Sequence, residues 1–384
     1  MNCFKKCRKQ AVPFLVILLL PLIGLSQKKG TSSKTFDLLI GTYTRTNESK
    51  GILVYRFDDE SGKMTYLNHI DGVENPAFLT VSNDLKFVYA VNSSKVGEVS
   101  SFKFDRSTGK LEFINKQSSS GVGPAHVAID RDGKNVFVSN YGSGSLTVLP
   151  INGDGSLAQA SQTIQDEGGS ANKLRQEGPH VHSALLSKNE KILFYADLGT
   201  DKINIYNYDS SKKMPLTPAE PAFESVQPGN GPRHMDFSPD QKYLYLVQEM
   251  TAIVNVYSYN NGKLTFLQSV NMMPEAFTEN SAADIHVSPN GLFLYASNRG
   301  NANNIVAYAI NKKNGRLTFV ERYNVDKTPR NFVITPSGNF MLVAAQDANN
   351  VSVYKINKAT GKLTGTSVKI DVGQPVCLKL VPAE

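Results

Sequence analysis

The chain has 384 residues and a formal net charge of +7, from 41 Lys and Arg against 34 Asp and Glu. Four basic residues and no acidic ones lie within the first 26 residues, so the remainder is only mildly basic and lacks a basic block. That distribution argues against a nucleic-acid partner, and the absence of Trp excludes a WD-type repeat. Only one Cys, Cys377, follows the first 26 residues, so no intramolecular disulfide is expected there.

The first predicted element is an export leader over residues 1–26. Its Lys and Arg residues precede an apolar run from Ala11 to Leu25, and small residues such as Ser26 end it, as in a cleaved signal peptide. A run of about 15 residues is short for crossing a bilayer, so we expect cleavage, with an uncleaved anchor as the alternative. We therefore predict no stable membrane span, a periplasmic or secreted location, and one domain over residues 27–384.

A strand-and-turn pattern then repeats seven times, at a period of about 50 residues. Each copy is an alternating apolar strand closed by a turn of the Ser-Gly-Lys type. The copies read GILVYRFDDESGKM, EVSSFKFDRSTGKL, SLTVLPINGDGSL, KINIYNYDSSKKM, IVNVYSYNNGKL, NIVAYAINKKNGRL and NVSVYKINKATGKL. A fixed period of this length indicates radially repeated four-stranded blades, which form a β-propeller.

A hairpin pattern recurs between these copies. It consists of two short runs rich in Val, Ile, Tyr and Phe around an Asp, Asn or Gly turn, and six copies are complete. The seventh is split: QPVCLKLVP near the C-terminus supplies its first strand, and FDLLIGTYT near the N-terminus supplies its second. We therefore predict an all-β, seven-bladed propeller with four antiparallel strands per blade, closed by pairing the two end strands, which leaves no open sheet edge.

Each hairpin provides two positions that rim the central channel, because its first strand starts and its second strand ends on the same face of the disc. The first rim position holds Ala77, Ala125, His182, Arg233, Ala283, Arg330 and Val376 in blades 1 to 7. The second rim position holds Ser93, Tyr141, Leu198, Glu249, Arg299, Gln346 and Tyr43 in the same order. The charged residues therefore cluster in blades 3 to 6.

This cluster of charge predicts a site for an anionic ligand. Small or apolar residues fill the same positions in other blades, so the fold by itself does not require charge there. Arg side chains hold carboxylates and phosphates through paired hydrogen bonds. The alternative is an ion pair between Arg233 and Glu249 that only satisfies the channel wall. Such a pair would not explain Arg299, Arg330 and His182.

Three further residues, His180, His126 and Gln346, are assigned with Arg330 to substrate binding. His180 and His182 lie on one side of an extended strand, and a His-x-His pair can hold a metal. No third ligand of suitable spacing follows in that hairpin, so we predict no metal. His126 also fits a structural residue of the channel wall. The chain lacks both a Gly-x-Ser-x-Gly elbow and a Gly-rich loop that enters a helix, and we predict no cofactor.

Several strings in the sequence resemble one family. They are IGTYT at 40–44, GPHVH at 178–182, GPRH at 231–234, the Glu of LVQEM, and SNRG at 297–300. The chain after residue 26 is similar to the seven-bladed propeller lactonases, which include bacterial 6-phosphogluconolactonases of the propeller type and fungal carboxymuconate lactonizing enzymes. The resemblance implies an active site of His182, Arg233, Glu249 and Arg299 without a metal. The blade alignment selects the same four residues.

From the residues and the resemblance together, we expect hydrolysis of an anionic sugar-acid lactone such as 6-phosphogluconolactone. The arginines would bind the anionic group and polarise the lactone carbonyl, while Glu249 or His182 would activate water and return the proton to the ring oxygen. The substitution Glu249→Gln should then abolish turnover with little change in melting temperature. Because an export leader conflicts with a cytoplasmic phosphorylated substrate, another lactone, a non-catalytic propeller that binds an anionic ligand, and a muconate-type cycloisomerase stay as alternatives.

Overall fold

The structure, a computed structural model, describes residues 1–2, 34–45, 49–274 and 279–384. The predicted leader lies outside the described residues from residue 3 onward, so its cleavage stays a prediction. No helix in the described part of the chain is long and apolar enough to cross a membrane.

The described residues form 28 β-strands and one 3-10 turn, Gln346–Ala348. In chain order the strands are β1 (Thr35–Thr42), β2 (Ile52–Asp58), β3 (Met64–Ile70), β4 (Pro76–Val81), β5 (Phe87–Asn92), β6 (Glu98–Asp105), β7 (Lys110–Ser118), β8 (Pro124–Ile129), β9 (Asn135–Asn140), β10 (Ser145–Pro150), β11 (Gln162–Gln165), β12 (Val181–Leu186), β13 (Ile192–Asp197), β14 (Lys202–Tyr208), β15 (Leu216–Ser225), β16 (Pro232–Phe237), β17 (Tyr243–Gln248), β18 (Ile253–Asn260), β19 (Lys263–Asn271), β20 (Ala282–Val287), β21 (Phe293–Asn298), β22 (Asn304–Ile310), β23 (Leu317–Asn324), β24 (Pro329–Ile334), β25 (Phe340–Ala345), β26 (Asn350–Ile356), β27 (Leu363–Asp371) and β28 (Pro375–Pro382).

These strands form seven four-stranded antiparallel sheets, one for each predicted blade. Blades 1 to 6 take four consecutive strands each, from β4 to β27. Blade 7 has the order β28-β1-β2-β3, in which Ile40 of β1 lies opposite Leu378 of β28. The predicted fold, including closure of the ring through the two end strands, is confirmed.

Glycines of the outer turns recur because each blade packs there against the preceding blade. Gly155 and Gly361 have φ values of 83° and 72°, which side chains rarely adopt. A Cβ atom at these positions would lie 2.2 Å from the ring of Phe87 and 2.3 Å from the ring of Phe293. The Tyr295 hydroxyl of blade 5 also donates a hydrogen bond to the carbonyl oxygen of Gly361 in blade 6, at 2.9 Å. The repeated glycine is therefore an element of the contact between blades.

The innermost strand of every blade contains a β-bulge near its start. The register shifts there, so that the residue at the first rim position has no partner on the next strand. In blade 5 the pairing resumes one residue later, so that Asp284 and Ser297 of the facing strand are also without a partner in the register. Bulges redirect side chains out of the regular alternation of a strand. They account for the side chains of His182, Arg233 and Arg330 at the channel.

A single backbone hydrogen bond fixes the second rim position in all seven blades. Its N–H group donates to the carbonyl oxygen of the residue two places before the first rim position. The pairs are Ser93 to Asn75, Tyr141 to Gly123, Leu198 to His180, Glu249 to Gly231, Arg299 to Ser281, Gln346 to Thr328 and Tyr43 to Gln374, at 2.7 to 3.2 Å. The scaffold thus repeats its backbone geometry seven times, and the rim differs between blades in its side chains.

Candidate active site

A cavity of about 630 Å³ opens at one end of the central channel, and we call it the rim cavity. Its volume lies in the range of small-molecule sites. Its wall includes side chains from both rim positions and from connecting segments, among them Tyr43, Arg45, Ser93, Ala125, Tyr141, Arg175, His182, Glu249, Arg299 and Arg330. Arg233 lines a smaller space in the channel together with His182 and Arg330.

Glu249 is buried among three guanidinium groups. Nη2 of Arg175 donates to Oε1 at 2.6 Å, and Nε of Arg233 donates to Oε2 at 2.8 Å. Nη2 of Arg299 lies 3.0 Å from the same Oε2 atom. The guanidinium groups of Arg233 and Arg299 therefore converge on one carboxylate oxygen, and the structure brings together the residues that the blade alignment selected.

These contacts set the charge state of Glu249. Burial acts to raise the pKa of its carboxyl group, but the charges of Arg299 and Arg233 and the hydrogen bond from Arg175 outweigh burial and hold that pKa well below its usual range. Burial and the charge of Arg299 lower the pKa of Arg233 to about 9, so Arg233 is still a cation at neutral pH. A carboxylate with both oxygens bound by cationic donors is a weak proton acceptor.

His182 lies beside this ion-pair network. Its Nε2 atom is 4.0 Å from Oε2 of Glu249, and its ring packs edge-on against Tyr141 with the ring centroids 5.5 Å apart. Burial, followed by the charges of Arg233, His234 and other neighbours, lowers the pKa of His182 well below its ordinary value. His182 is therefore neutral at pH 7. Within the described residues, its buried Nδ1 atom has no hydrogen-bond partner.

Arg330 differs from the other rim arginines in its partners. Its Nη2 atom donates to the hydroxyl of Tyr43 at 3.0 Å, and its guanidinium carbon lies 5.4 Å from the centre of the Tyr43 ring. No ion pair among the described residues includes Arg330. Its positive charge is therefore available to an anionic group that enters the rim cavity.

Arg175 is a residue of this site that sequence reasoning missed. It lies in the connecting segment 166–180 between β11 and β12, outside the repeated pattern. The next residue, Gln176, is buried and donates to the carbonyl oxygen of Leu198 at 2.8 Å and to Oδ2 of Asp201 at 2.7 Å, which anchors the segment over the channel. The signal in the sequence is the extra length of this connection.

Three predicted substrate-binding residues lie outside the wall of the rim cavity. His180 stacks on the ring of Tyr141 at 4.6 Å between centroids, and so supports a residue of that wall. His126 packs against Phe78 at 4.2 Å and lines the opposite end of the channel. Gln346 begins the 3-10 turn, where its Nε2 atom donates to Asp347 at 3.2 Å. A direct contact of any of the three with substrate stays a prediction.

No group of three or more His, Cys, Asp or Glu side chains in the described part of the chain is arranged to hold a metal ion. Cys377 is buried, its pKa is raised to about 11 by burial, and it accepts a hydrogen bond from the backbone N–H of Leu79 at 3.3 Å. It is therefore part of the packing between blades.

Comparison with known proteins gives one consistent family. The sequence matches the family described as "Lactonase, 7-bladed beta-propeller" over residues 37–380. A 6-phosphogluconolactonase of Formosa agariphila is 37% identical over 316 residues, which cover 80% of this chain and 89% of that protein. A 6-phosphogluconolactonase of Bacillus subtilis is 32% identical over 347 residues, which cover 89% of this chain and 97% of that protein.

Solved structures agree with this assignment. A crystal structure from Bacteroides fragilis superimposes with a TM-score of 0.88 at 39% identity, covering 91% of this chain and 98% of that one. The periplasmic gluconolactonase of Pseudomonas aeruginosa gives a TM-score of 0.87 at 35% identity, covering 91% of this chain and all of that one. This chain therefore belongs to the family of seven-bladed β-propeller lactonases, enzymes that hydrolyse the carboxylic ester bond of a lactone.

Proposed function

We propose that this chain hydrolyses an anionic sugar-acid lactone in the rim cavity. The observation that carries the proposal is the imbalance of charge at the centre of the site, where the guanidinium groups of Arg175, Arg233 and Arg299 contact the carboxylate of Glu249. Arg330 adds a fourth guanidinium group to the wall of the same cavity. A site with this excess of cations favours a ligand that brings negative charge, such as a carboxylate or phosphate.

Arginines in this arrangement also favour the reaction itself. When water attacks the lactone carbonyl, the carbonyl oxygen becomes negatively charged, and cationic donors already oriented toward it stabilise that charge. Arg299 lines the rim cavity beside Glu249, and we assign it to this role, whereas Arg175 holds the other oxygen of Glu249. Arg330 is assigned to the anionic group of the substrate, because no carboxylate of the described residues competes for it.

We assign the general base to His182 and the positioning of the arginines to Glu249. Both oxygens of Glu249 accept hydrogen bonds from guanidinium groups, which makes it the weaker proton acceptor of the two. Atoms 4.0 Å apart, as Nε2 of His182 and Oε2 of Glu249 are, can both lie within hydrogen-bond distance of one water molecule. The negative charge of a bound substrate raises the pKa of His182 from its depressed value toward neutrality, where general-base catalysis is most effective.

Hydrolysis proceeds by attack of water on the carbonyl carbon and then opening of the lactone ring. The water oxygen forms a bond to the carbonyl carbon while one water proton moves to Nε2 of His182. The bond from that carbon to the ring oxygen then breaks, and His182 returns its proton to the ring oxygen. The products are a hydroxyl group and a carboxylic acid, which loses one proton at neutral pH.

The relatives suggest two substrates that differ by one phosphate group, since some are named 6-phosphogluconolactonase and one is named a periplasmic gluconolactonase. The deciding experiment compares kcat and KM of the purified protein on 6-phosphogluconolactone and on glucono-lactone, with the variant Arg330→Gln. A hydrogen bond to a charged group contributes about 1.5–3 kcal/mol, so we expect KM for the phosphorylated lactone to rise roughly 10- to 100-fold and KM for the neutral lactone to change little.

The matched control is Arg316→Gln, which removes an exposed arginine from an outer turn of blade 5. It should leave both KM values unchanged. Saturable binding of sugar acids without hydrolysis of any lactone would instead identify a non-catalytic propeller, and a change in diene absorbance with muconate would identify a cycloisomerase. Either result would overturn the proposed hydrolysis.

We also propose that the protein is exported, from the leader predicted over residues 1–26 and from the periplasmic relative. Export favours a lactone whose anionic group is a carboxylate and not a phosphate, because phosphorylated sugars are mostly confined to the cytoplasm. Mass spectrometry of the protein from the extracytoplasmic fraction should give a chain that starts at residue 27. A full-length chain retained in the cytoplasm would contradict export and would favour the phosphorylated substrate.

A further inference from the structure

A row of buried ionisable side chains leads from His182 through the channel to the end opposite the rim cavity. The rings of His182 and His234 lie 5.2 Å apart between centroids. Nδ1 of His234 is 2.8 Å from Oδ1 of Asp284, and Nε2 of His286 is 3.1 Å from Oδ2 of the same carboxylate. The side chain of His286 is 37% exposed and lines the far opening of the channel.

We propose that His234, Asp284 and His286 conduct protons between His182 and the solvent at the far opening of the channel. This inference rests on the proposed function, in which His182 is the general base of a lactonase. It adds residues that touch neither the rim cavity nor the substrate.

The link between His182 and His234 crosses a small space in the channel. Its volume is about 10 Å³, and its wall includes His182, Arg233, His234, Arg330 and Asn331. That volume is close to the smallest that holds one water molecule. Because ionised Asp284 can only accept a hydrogen bond, Nδ1 of neutral His234 carries the proton and Nε2 is left as the acceptor. His234 can therefore accept a proton at Nε2 while it donates the one on Nδ1 to Asp284.

Asp284 is held in place by contacts from three blades. Besides the two histidines, its Oδ2 atom accepts hydrogen bonds from the side chain of Asn331 and from the backbone N–H of Phe332 in blade 6. Asp284 follows the first rim position of blade 5 by one residue, and the bulge there places its carboxylate at the channel. Burial acts to raise the pKa of Asp284, but the two histidines outweigh burial and hold it well below its usual range. In the proposed path the ionised carboxylate takes a proton from Nδ1 of imidazolium His234 and gives it to Nε2 of His286, in the tautomer of His286 that carries its hydrogen on Nδ1. Nδ1 of His286 then releases a proton to the solvent, Asp284 is ionised again, and proton exchange between the half-exposed His286 ring and the solvent restores that tautomer.

The charges along the row favour outward movement of a proton. Burial and the charge of Arg233 lower the pKa of His234 to about 4, with Asp284 and His286 also facing it and His126 packed against its ring. The groups that face His182 are cationic or neutral apart from Glu249. Burial and these cationic groups lower the pKa of His182 as well.

His286 has the opposite tendency. Burial lowers its pKa, but Asp284 and Asp236 act more strongly, so that the pKa is raised above its ordinary value even with Lys379 nearby. Nδ1 of His286 lies 3.9 Å from Oδ2 of Asp236. A proton that leaves His182 is therefore held more tightly by His286 than by His234.

The reaction requires an exit for protons. Hydrolysis of a lactone at neutral pH yields a hydroxy-carboxylate and one proton, which passes from the new carboxylic acid to Nε2 of His182. His182 must lose that proton before the next water molecule is activated. The guanidinium groups around the rim cavity disfavour a proton there, whereas the far opening contains the carboxylates of Asp236 and Asp284.

The test uses the full-length enzyme with His286→Gln, since Gln can still donate a hydrogen bond to Asp284 but cannot conduct a proton. At low buffer concentration we expect kcat on 6-phosphogluconolactone to fall roughly tenfold with KM unchanged, less than the 10²- to 10⁴-fold contribution of a group that transfers a proton in the chemical step. Added imidazole should restore kcat in a saturable manner. The matched control is Lys379→Gln at the same opening, which should keep the kcat of the wild type.

Two results would overturn the proton path. One is a wild-type kcat for His286→Gln at low buffer concentration. The other is a loss of kcat that imidazole does not restore and that accompanies a lower melting temperature, which would make His286 a structural residue. Failure of the proposed function would be distinct, because the wild type would then hydrolyse no lactone at any buffer concentration.

Discussion

Blades 1 and 4 have the same backbone at the channel and different chemistry. In blade 1 the two rim positions hold Ala77 and Ser93, and in blade 4 they hold Arg233 and Glu249. The backbone hydrogen bond of the second position is 3.0 Å in blade 1 and 2.7 Å in blade 4. Because small neutral residues satisfy the same geometry, the charged pair is not needed to form a blade.

Buried charges at such a position carry a cost. Removing two ions from water costs several kcal/mol for each ion, and their mutual attraction offsets this only when hydrogen bonds are well formed. Glu249 meets that condition through three guanidinium groups, two of which come from other blades or segments. The proposed function of the rim therefore depends on the side chains of blades 3 to 6 and not on the backbone that all blades share.

The largest predicted effect is that of Glu249→Gln. Loss of the carboxylate releases Arg233 and Arg299 from their shared partner, so we expect kcat/KM to fall by about 10²- to 10⁴-fold. The structure also changes the expectation for stability. Arg233 is 2% exposed, and removing one partner of a buried ion pair costs about 3–5 kcal/mol, so the free energy of unfolding should fall as well.

Ser93→Ala in blade 1 is the matched control for this substitution, since it changes the same rim position in a blade without charge. Lactonase kinetics and urea denaturation of both variants measure the difference. Equal activities for the two variants would show that the contrast between blades has no functional meaning.

The pH dependence of the free energy of unfolding distinguishes the channel interior from the rest of the molecule. Burial lowers the pKa values of His126, His182 and His234, so the unfolded chain, with ordinary values near 6.5, binds more protons below that pH. Stability therefore falls as the pH decreases from 6.5, by at most about 1.4 kcal/mol per pH unit for each group. His286 opposes this trend, because its pKa is raised and its contribution is lost as the pH rises.

Urea denaturation at pH 7.5 and 5.5 should therefore give a lower free energy of unfolding at pH 5.5. The variant His126→Asn should show a smaller difference between the two pH values than the wild type. Glu249 adds to the loss only below about pH 4.3, the ordinary value for Glu, because its own pKa is depressed. An unchanged free energy between pH 7.5 and 5.5 would contradict the neutral, buried state of the three histidines.

Much of the fold and part of the site could be predicted from the sequence, because the backbone positions that form both recur in every blade. The sevenfold period fixes the blades, and alignment of the copies identifies Arg233, Glu249 and Arg299 without any knowledge of side-chain geometry. His182 and Arg330 follow in the same way. A repeated backbone makes positions comparable, so a departure in residue type stands out.

The same alignment did not predict which end of the channel each histidine faces. His126 and His234 each follow a first rim position by one residue, and the bulge there breaks the regular alternation of the strand. The two side chains therefore line the opposite end of the channel. Asp284 was missed for the same reason, since it too follows a first rim position, Ala283, by one residue.

Substitution of Arg175 has the smallest predicted effect. Arg175 contacts Glu249 from a connecting segment and not from a rim position, so the comparison of rim positions between blades does not include it. Its side chain is 44% exposed, so its ion pair contributes at most about 1 kcal/mol to stability. We expect Arg175→Ala to leave the melting temperature close to that of the wild type and to lower kcat/KM several-fold. The control Lys173→Ala, from the same segment, should change neither. A loss as large as that of Glu249→Gln would make the segment an equal part of the site, because the arginines of the blades would then be insufficient to keep Glu249 in its ionised, fixed position.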